Sequence, residues 1–514
     1  MKLLTFCRFL LIYLTAALGA FAQIQVSFPV SRAVFQRNIA NNASISITGT
    51  YTTAITRIEA RAEARNGQGT TTAWQTIVTN PQGGLFNGTL TIQGGWYNLS
   101  VRLMRDNQEV ATQTVERVGV GEVFVVAGQS NAGEIRRDGE AAQDDRVNCV
   151  NYRYDPAQFP NDAPAPVFSH LDGPTNIAPR GIGAWCWGRL GDLLAARLNV
   201  PVLFFSAAFT GTSVRNWAET STGNRTISDF LPVFYELGHP YFPLKLTLQN
   251  YTHMLGMRAV LWHQGETDNQ FETTTAQYVD RLQTVIGQSR TDFGKSIPWV
   301  VARASHSDFF RSSPRIIAGQ NQVIASSPNV FAGPNTDLIQ IPRSRAPLFD
   351  VVHFDNAGLR EVAAAWDASL TTTFFSSATP ISPASAPILS VSCAANNAVT
   401  YSVTNYQQVF WESGETGQSI TKPVGSTLRA KVKDALGNLH YTPAITIAQA
   451  PVIQASGPTR FCQAGSVTLA SNGTQDVVWS NGATSKSITV TSSGTYSVSA
   501  IDVTGCRYSS NSIA

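Results

Sequence analysis

A short apolar run, residues 123–127, leads directly into the tetrapeptide Gly-Gln-Ser-Asn at 128–131. The run is short and rich in valine, which favours a buried β-strand, and the glycine that follows it favours a tight turn. A strand that ends in a tight turn presents a serine at the edge of its sheet, as α/β hydrolases present their nucleophile. The feature therefore predicts an α/β domain with a reactive Ser130.

Two later segments add the side chains that a serine nucleophile needs. A second, largely apolar run at 258–261 is followed by Trp-His-Gln-Gly-Glu-Thr-Asp at 262–268, and Asp-Val-Val-His at 350–353 precedes a stretch with helical periodicity. With Ser130 these segments supply a histidine, carboxylates and an amide side chain, which are the groups used in acyl transfer.

Strand and helix patterns alternate between residues 119 and 375. Buried-strand patterns occur at 202–205 and 299–302, and helical patterns occur at 187–198, 277–286 and 358–370. This alternation predicts an α/β layer with a parallel sheet. Residues 23–118 instead contain short alternating runs separated by Asn-Gly and Gly-Gly turns, which predicts a small antiparallel β-sandwich.

The C-terminal part contains an internal repeat. Residues 376–387 are rich in Ser, Ala and Pro and are interpreted as a linker. Beyond them, Trp-Glu-Ser-Gly-Glu-Thr at 411–416 matches Trp-Ser-Asn-Gly-Ala-Thr at 479–484, and further matches keep the same offset. The repeat predicts two tandem immunoglobulin-like β-sandwich modules, at 388–449 and 450–514.

The first residues are typical of a secretory signal. Residues 1–22 combine a basic start, an apolar stretch shorter than the ~20 residues of a membrane span, and an Ala-Phe-Ala cleavage site. We therefore expect a secreted, periplasmic or cell-surface protein without a transmembrane segment.

In an oxidising compartment Cys462 and Cys506, which bracket the last β-rich unit, are expected to pair. Cys149 and Cys186 form a second possible pair, which leaves Cys393 as a buried, unpaired thiol.

The net charge of +3 over 514 residues gives no electrostatic footprint for nucleic acid. No Cys/His spacing suggests a structural metal site.

Four blocks together resemble the SGNH-hydrolase superfamily. They are Gly-Gln-Ser-Asn at 128–131, Gly-Thr-Ser at 211–213, Trp-His-Gln-Gly-Glu at 262–266 and Asp-Val-Val-His at 350–353. They occur in the family's order, and more narrowly they resemble its sialate O-acetylesterase and acetylxylan esterase branch, carbohydrate esterase family 6. The resemblance implies a flavodoxin-like three-layer α/β domain over 119–375 that hydrolyses esters without a metal ion or cofactor.

The resemblance and the chemistry of the side chains assign the catalytic roles. Ser130 is the expected nucleophile and His353 its general base. Two carboxylates compete to orient the histidine. Asp350 is favoured because the Asp-x-x-His spacing places both partners on one loop, and Glu266 remains the alternative because some members of the family use it.

The tetrahedral intermediate also needs hydrogen-bond donors. The backbone N–H groups of Ser130 and Gly211 are the expected donors, and the resemblance adds the amide of Gln264, where other members of the superfamily use Asn. The expected substrate contacts are Gln129, Trp217, which could stack on a sugar, and Arg215, which could pair with a substrate carboxylate.

The sequence therefore predicts a secreted carbohydrate O-acetylesterase whose partner is an acetylated carbohydrate. Two alternatives stay open. One is a non-catalytic glycan-binding or adhesion protein with a relic hydrolase domain, and the other is an SGNH lipase, acetylxylan esterase or peptidoglycan deacetylase. The acetylated sugar is not identified, and glycan binding, cell-surface contact and simple spacing are all open roles for the C-terminal modules.

Overall fold

The computed structural model describes residues 23–133, 139–154, 162–341, 343, 350–446, 450–461, 465–473 and 475–514. The expected signal sequence and Cys462 lie outside these ranges. Within them, every helix is too short or too polar to cross a membrane.

The N-terminal region consists of two sheets. Its strands are β1 Ile24–Phe28, β2 Val34–Gln36, β3 Asn42–Tyr51, β4 Arg57–Ala64, β5 Gln75–Thr79, β6 Leu85–Gln93, β7 Gly95–Arg105 and β8 Gln108–Gly128. One sheet has the order β1-β3-β6, and the other contains β5, β4, β7 and β8, with β2 parallel to β8. Ile45 of the first sheet and Val101 of the second are fully buried in one apolar core.

Strand β8 joins this region to the α/β domain. Its first part pairs with β7 as far as Val120, and its last part, from Glu122 onward, pairs with neighbours in the α/β sheet. The boundary expected between residues 118 and 119 therefore lies inside one continuous strand. The change in sequence pattern at this point marks a change of partners along β8, not a break in the chain's structure.

The α/β domain is built on a mostly parallel sheet. Its strands are β9 Val147–Val150, β10 Phe168–His170, β13 Val202–Ser206, β14 Ala259–His263, β15 Trp299–Arg303 and β16 Val330–Asn335, and a separate short ladder contains β11 Asn176–Ile177 and β12 Gly181–Ile182. The order is β10-β9-β13-β8-β14-β15-β16, with only β10 antiparallel to its neighbour. Counted from β8, strands β13 to β16 follow the 2-1-3-4-5 order of flavodoxin-like sheets.

Helices connect these strands and cover both faces of the sheet. They are α1 Trp187–Leu198, α2 Val214–Ser221, α3 Phe242–Thr247, α4 His253–Leu255, α5 Glu266–Gln270, α6 Thr275–Phe293, α7 Pro314–Ser326, α8 Asn356–Ser369 and α9 Thr372–Ser377, with a π-helical turn, Leu248–Thr252, between α3 and α4. Single-turn 3₁₀ helices lie at Arg65–Gly67, Ser130–Ala132 and Thr336–Leu338.

The alternation of side chains along β8 separates the two faces. Val123 and Val125 pack in the core that contains residues of α2, α3, α6 and α7, whereas Phe124 and Val126 pack in the core that contains residues of α1 and α8. Adjacent residues of a strand point to opposite faces. The domain is therefore a three-layer α/β/α structure, and its central strands are apolar throughout because helices cover both sides.

The regular secondary structure of the described C-terminal residues consists of strands. They are β17 Leu389–Ala394, β18 Ala398–Val403, β19 Gln408–Trp411, β20 Ser419–Pro423, β21 Thr427–Leu428, β22 Ala430–Lys433, β23 Leu439–Tyr441, β24 Ile445–Thr446, β25 Ile453–Ala455, β26 Val467–Ser471, β27 Gln475–Trp479, β28 Ser487–Val490, β29 Val498–Ile501 and β30 Arg507–Ser509. Sheets β17-β18-β20 and β19-β22-β23 have counterparts in β25-β26-β28 and β27-β29-β30.

Equivalent tryptophans make equivalent contacts in the two repeats. The indole of Trp411 donates to the Gly417 carbonyl at 2.9 Å, and that of Trp479 donates to the Ser485 carbonyl at 2.8 Å. Each tryptophan is almost fully buried in the core of its own repeat. The sequence repeat is thus a structural repeat.

Residues 376–387 are packed against the rest of the protein and do not form a free linker. Ala378 is fully buried, Ile381 pairs with Met257 ahead of β14, and the Ala386 N–H donates to Ser46 Oγ at 3.1 Å. The composition predicted a linker, and Ser, Ala and Pro also suit an extended segment that runs in close contact with two domains.

The first repeat also packs directly on the α/β domain. Gln249 on the π-helical turn donates to the Leu436 carbonyl at 2.6 Å, and Tyr441 donates to the Ala163 carbonyl at 2.9 Å. His440 is buried between Phe28 and His253. The repeat is therefore held by specific contacts as well as by its connecting segment.

The cysteine pairing differs from the expected one. Cys393 of the first repeat is bonded to Cys506 of the second, and Cys149 and Cys186 are free and buried. Cys506 and Tyr508 pack into the core of the first repeat, which brings the two sulfurs together across the repeats. Cys462 was expected as the partner because it and Cys506 bracket the last β-rich unit, but the contact that decides the pairing lies between modules.

Candidate active site

The four sequence blocks meet at the carboxyl ends of the central parallel strands. β8 ends at Gly128 and β14 at His263, and these two residues are paired in register. A Cβ atom on Gly128, whose φ is +130°, would lie 2.0 Å from the His263 carbonyl oxygen. Only glycine fits this crossing, which turns the chain so that Ser130 follows at the edge of the sheet. In open α/β sheets this is where ligands bind.

Ser130, His353 and Asp350 form one hydrogen-bonded chain. The distance from Ser130 Oγ to His353 Nε2 is 2.6 Å, and that from His353 Nδ1 to Asp350 Oδ2 is 2.8 Å. Ser130 and His353 are 223 positions apart, so the fold and not the local sequence creates the first contact. An imidazole between a hydroxyl and a carboxylate can take the hydroxyl proton while the carboxylate stabilises the resulting cation.

The Asp350 carboxylate is held by its own loop. Its Oδ1 accepts hydrogen bonds from the N–H groups of Val352 and His353, both at 3.0 Å. Partial burial opposes ionisation, but the side-chain and backbone hydrogen bonds from His353 and the one from Val352 hold the pKa of Asp350 well below its usual range. Asp350 is therefore ionised at neutral pH.

Glu266, the competing carboxylate, is bonded to Asn131 instead. Asn131 Nδ2 donates to Glu266 Oε1 at 2.7 Å and to the Val352 carbonyl at 3.2 Å, and Asn131 Oδ1 accepts from the Phe354 N–H at 3.4 Å. The structure therefore brings Asp350, and not Glu266, into contact with the imidazole. Sequence reasoning missed the part played by Asn131, although this residue directly follows the serine in the motif.

Two tryptophans fix the backbone of the serine turn. The indole N–H of Trp185 donates to the Asn131 carbonyl at 2.8 Å, and that of Trp187 donates to the Ala132 carbonyl at 2.9 Å. Both rings are fully buried. Because they satisfy two buried carbonyls, the tryptophans stabilise the 3₁₀ turn that carries Ser130.

Two of the expected oxyanion donors are available. Among the described residues, neither the Ser130 N–H nor the Gly211 N–H has a protein acceptor. Gly211 adopts φ +67°, and its carbonyl accepts from Tyr235 Oη at 2.8 Å. The left-handed conformation of this residue suits glycine and sets the direction of its N–H.

Gln264, the expected third donor, is occupied. Its fully buried Nε2 lies within hydrogen-bond distance of Gln129 Oε1 (3.1 Å), the Thr212 carbonyl (3.2 Å) and Asp268 Oδ2 (2.5 Å). Two amide hydrogens cannot serve a fourth acceptor while they bond these groups. The structure thus gives Gln264 the role of joining the blocks at 128–131, 211–213 and 262–268.

Gln129 differs from Gln264 in that its amide oxygen, and not its amide nitrogen, makes the bonds to the neighbouring blocks. Its Oε1 accepts from Gln264 and from the N–H groups of Gly265 and Thr267, both at 3.2 Å. Backbone N–H groups can only donate, so they fix which end of the Gln129 amide is oxygen. Its Nε2 has no acceptor among the described residues.

Trp217 and Arg215 do not take the positions expected of substrate contacts. Trp217 is fully buried, donates to Thr212 Oγ1 at 3.0 Å and packs edge-on against Trp262, so it has no face for a sugar. Arg215 is paired with Glu219 at 3.0 Å and Asp229 at 2.7 Å. Two carboxylates already neutralise the guanidinium, which disfavours a third.

The remaining polar residues of the motif blocks have structural roles. His263 is fully buried, and burial lowers its pKa, so it favours the neutral form. Asp268 accepts from the N–H of Val214, the first residue of α2, and burial raises its pKa to about 6. Asp355 caps α8 through the Gly358 N–H at 2.9 Å.

Within the described ranges, His, Cys, Asp and Glu side chains form no group of three suited to a metal ion.

A model of the family described as "carbohydrate esterase, sialic acid-specific acetylesterase" matches residues 120–367. Similar solved structures include a carbohydrate acetylesterase from Xanthomonas citri, at 15% identity over 82% of this chain and 99% of that one, with a TM-score of 0.40. A protein from Arabidopsis thaliana matches at 15% identity over 50% and 98% of the two chains, with a TM-score of 0.34. A lipase/acylhydrolase from Enterococcus faecalis matches at 11% identity over 52% and 100%, with a TM-score of 0.29. No curated protein matches the chain.

Proposed function

We propose that the protein hydrolyses acetyl esters on sugars through an acyl-enzyme on Ser130. The match of residues 120–367 to the carbohydrate esterase family of sialic acid-specific acetylesterases supports the proposal. The hydrogen-bonded chain Ser130–His353–Asp350 is the observation that carries the proposal.

The proposed reaction has two steps. His353 Nε2 takes the proton of Ser130 as Oγ attacks the acetyl carbonyl, and the protonated imidazole then gives that proton to the departing sugar oxygen. Water, deprotonated by the same nitrogen, attacks the acetyl-serine and releases acetate. Asp350 keeps the imidazole in the required tautomer throughout and stabilises its charged form.

The oxyanion hole is proposed to contain backbone donors and one side-chain amide. Within the described part of the chain, the N–H groups of Ser130 and Gly211 have no protein acceptor, which supports them as two of the donors. Gln129 Nε2 replaces Gln264 in the proposal as the amide that contacts the ester. Such fixed donors stabilise the charge that develops in the transition state more than the neutral ester.

The proposal also covers residues 1–22 and the two C-terminal repeats. Residues 1–22 direct secretion to the periplasm, cell surface or medium, where acetylated glycans are accessible. The two C-terminal repeats are immunoglobulin-like modules, and the first supports the esterase domain through the contacts of Leu436 and Tyr441.

The test is acetate release by the full chain. The substrates are p-nitrophenyl acetate, O-acetylated sialic acid and acetylated xylo-oligosaccharides, with p-nitrophenyl octanoate as the lipase substrate. The proposal expects turnover of p-nitrophenyl acetate and at least one acetylated sugar, with little of the octanoate. Binding of glycans without acetate release would favour the adhesion alternative instead.

A further inference from the structure

Four of the exposed phenylalanines lie in two edge-to-face pairs on segments near the proposed catalytic loops. Their exposed fractions are 47% for Phe230, 42% for Phe271, 73% for Phe309 and 42% for Phe310. Exposed aromatic side chains grouped in this way on a soluble protein commonly mark a binding surface. We call these four residues the aromatic rim.

Phe230 and Phe271 lie on the oxyanion side of the site. A Cβ atom on Gly211 would be 3.7 Å from Phe230 Cδ2, so this ring lies next to the backbone whose N–H is a proposed oxyanion donor. The rings of Phe230 and Phe271 pack edge to face, with centroids 5.1 Å apart. In this geometry one ring keeps a face free for another molecule.

Arg215 and Asn216 hold the segment that carries Phe230. Arg215 Nη2 donates to the Ile227 carbonyl at 2.9 Å and to Asp229 at 2.7 Å, and Asn216 Nδ2 donates to the same carbonyl at 3.0 Å. Both residues lie in α2, which follows the Gly211 turn directly. Arg215 is thus a positioning residue for Phe230.

Phe309 and Phe310 lie on the side of the general base. The N–H of the preceding residue, Asp308, donates to the Val351 carbonyl at 2.7 Å, inside the loop that carries Asp350 and His353. The two rings are edge to face with centroids 4.9 Å apart. Asn269 Nδ2 donates to the Arg311 carbonyl at 2.7 Å and so connects this loop to α5, which ends next to Phe271.

We propose that the aromatic rim binds the pyranose rings of the glycan whose acetyl group is transferred to Ser130. This inference rests on the proposed function and specifies how the sugar is recognised. The C–H faces of a pyranose carry weak positive charge and pack well on the negative face of an aromatic ring. One pair of rings lies on segments next to the Gly211 turn, and the other lies on a segment bonded to the loop of Asp350 and His353. A sugar stacked on them would therefore bring its acetyl ester towards Ser130.

The test compares a sugar ester with an ester that has no sugar. Phe309→Ala and Phe230→Ala are prepared in the full chain. Phe309→Tyr keeps a ring, and Phe309→Leu keeps only apolar bulk. The control is Ile388→Ala, because Ile388 is an apolar residue outside the rim that is 72% exposed. The measured quantity is kcat/KM on acetylated xylo-oligosaccharides and on p-nitrophenyl acetate, and unfolding curves establish that each variant is folded.

We expect the alanine variants and Phe309→Leu to lose roughly tenfold more kcat/KM on the oligosaccharide than on p-nitrophenyl acetate, mainly through KM. Phe309→Tyr and Ile388→Ala should resemble the wild type. The same variants are also assayed on p-nitrophenyl octanoate. Equal losses on the oligosaccharide and on p-nitrophenyl acetate would overturn the inference. A loss confined to p-nitrophenyl octanoate would overturn it too, because it indicates a site for acyl chains. A wild-type protein inactive on every ester would instead refute the proposed function itself.

Discussion

Asn131 Nδ2 lies 2.7 Å from Glu266 Oε1, so the residue after the proposed nucleophile binds the carboxylate that was the alternative to Asp350. The same Asn131 side chain bonds the backbone on both sides of His353, at Val352 and Phe354. One buried amide therefore sets the position of the serine turn relative to the histidine loop.

We expect Asn131→Ala to lower kcat on p-nitrophenyl acetate by about 10²-fold while the protein stays folded, because a misplacement of about 1 Å between serine and histidine has that cost. Glu266 offers a matched pair of variants. Glu266→Gln keeps an oxygen that can accept from Asn131 and should lose less than about tenfold, whereas Glu266→Ala removes the acceptor and should resemble Asn131→Ala. If Glu266→Ala has wild-type kcat, the contact does not position the site.

The identity of the triad acid gives a second prediction. Asp350→Asn should lower kcat by about 10⁴-fold, because the histidine loses the carboxylate that fixes its tautomer. The measurement is kcat of Asp350→Asn beside Glu266→Gln at the pH of maximal wild-type activity. A larger loss in Glu266→Gln would contradict the assignment of Asp350, and large losses in both would mean that the two carboxylates share the role.

The sequence identified the family and the serine, histidine and aspartate that the fold brings together. Ser130 follows a strand and Asp350 shares a loop with His353, so local patterns sufficed for these residues. Local patterns could not predict which acceptor an amide would find in three dimensions. Gln264 therefore looked available until the structure placed Gln129, Thr212 and Asp268 around it.

The other differences also arise from long-range packing. Trp217 follows the Gly211 loop in sequence, but its ring packs against Trp262 in the core. The domain boundary near residue 119 was placed where the sequence pattern changes from short alternating runs to strand–helix alternation, although strand β8 continues through this point. Cys506 was expected to pair with Cys462, at the other end of the same β-rich unit, whereas packing of the second repeat on the first brings it to Cys393.

A third prediction concerns acid sensitivity at the interface of the first repeat. Burial, and then the nearby charge of His253, lower the pKa of His440 to about 4, against about 6.5 in the unfolded chain. Between these values the unfolded state binds more protons, so stability is lost as pH falls from about 6.5 towards 4, by up to about 3 kcal/mol.

The check is urea unfolding of the wild type and His440→Leu at several pH values in this window. The free energy of unfolding should fall less with acid in the variant. Parallel pH profiles would show that His440 does not contribute to the acid sensitivity.

A fourth prediction concerns the disulfide between the repeats. Alkylation of the denatured, unreduced protein should modify Cys149 and Cys186, and peptide mapping should recover Cys393 linked to Cys506. Cys393→Ser and Cys506→Ser should each lower the free energy of unfolding of the C-terminal region by about 2–5 kcal/mol. Recovery of a peptide that links Cys462 to Cys506 would contradict this pairing.

The most direct test of the account is the reactivity of Ser130. The measurement is kcat on p-nitrophenyl acetate for the wild type and Ser130→Ala, with mass spectrometry of both proteins after treatment with a serine-directed phosphonate. Because the triad acts as a unit, Ser130→Ala should lose at least about 10⁴-fold in kcat, and the phosphonate should label the wild type at Ser130 but leave the variant unlabelled. Activity within about tenfold of the wild type, or labelling at another serine with equal loss of activity, would contradict the proposed mechanism.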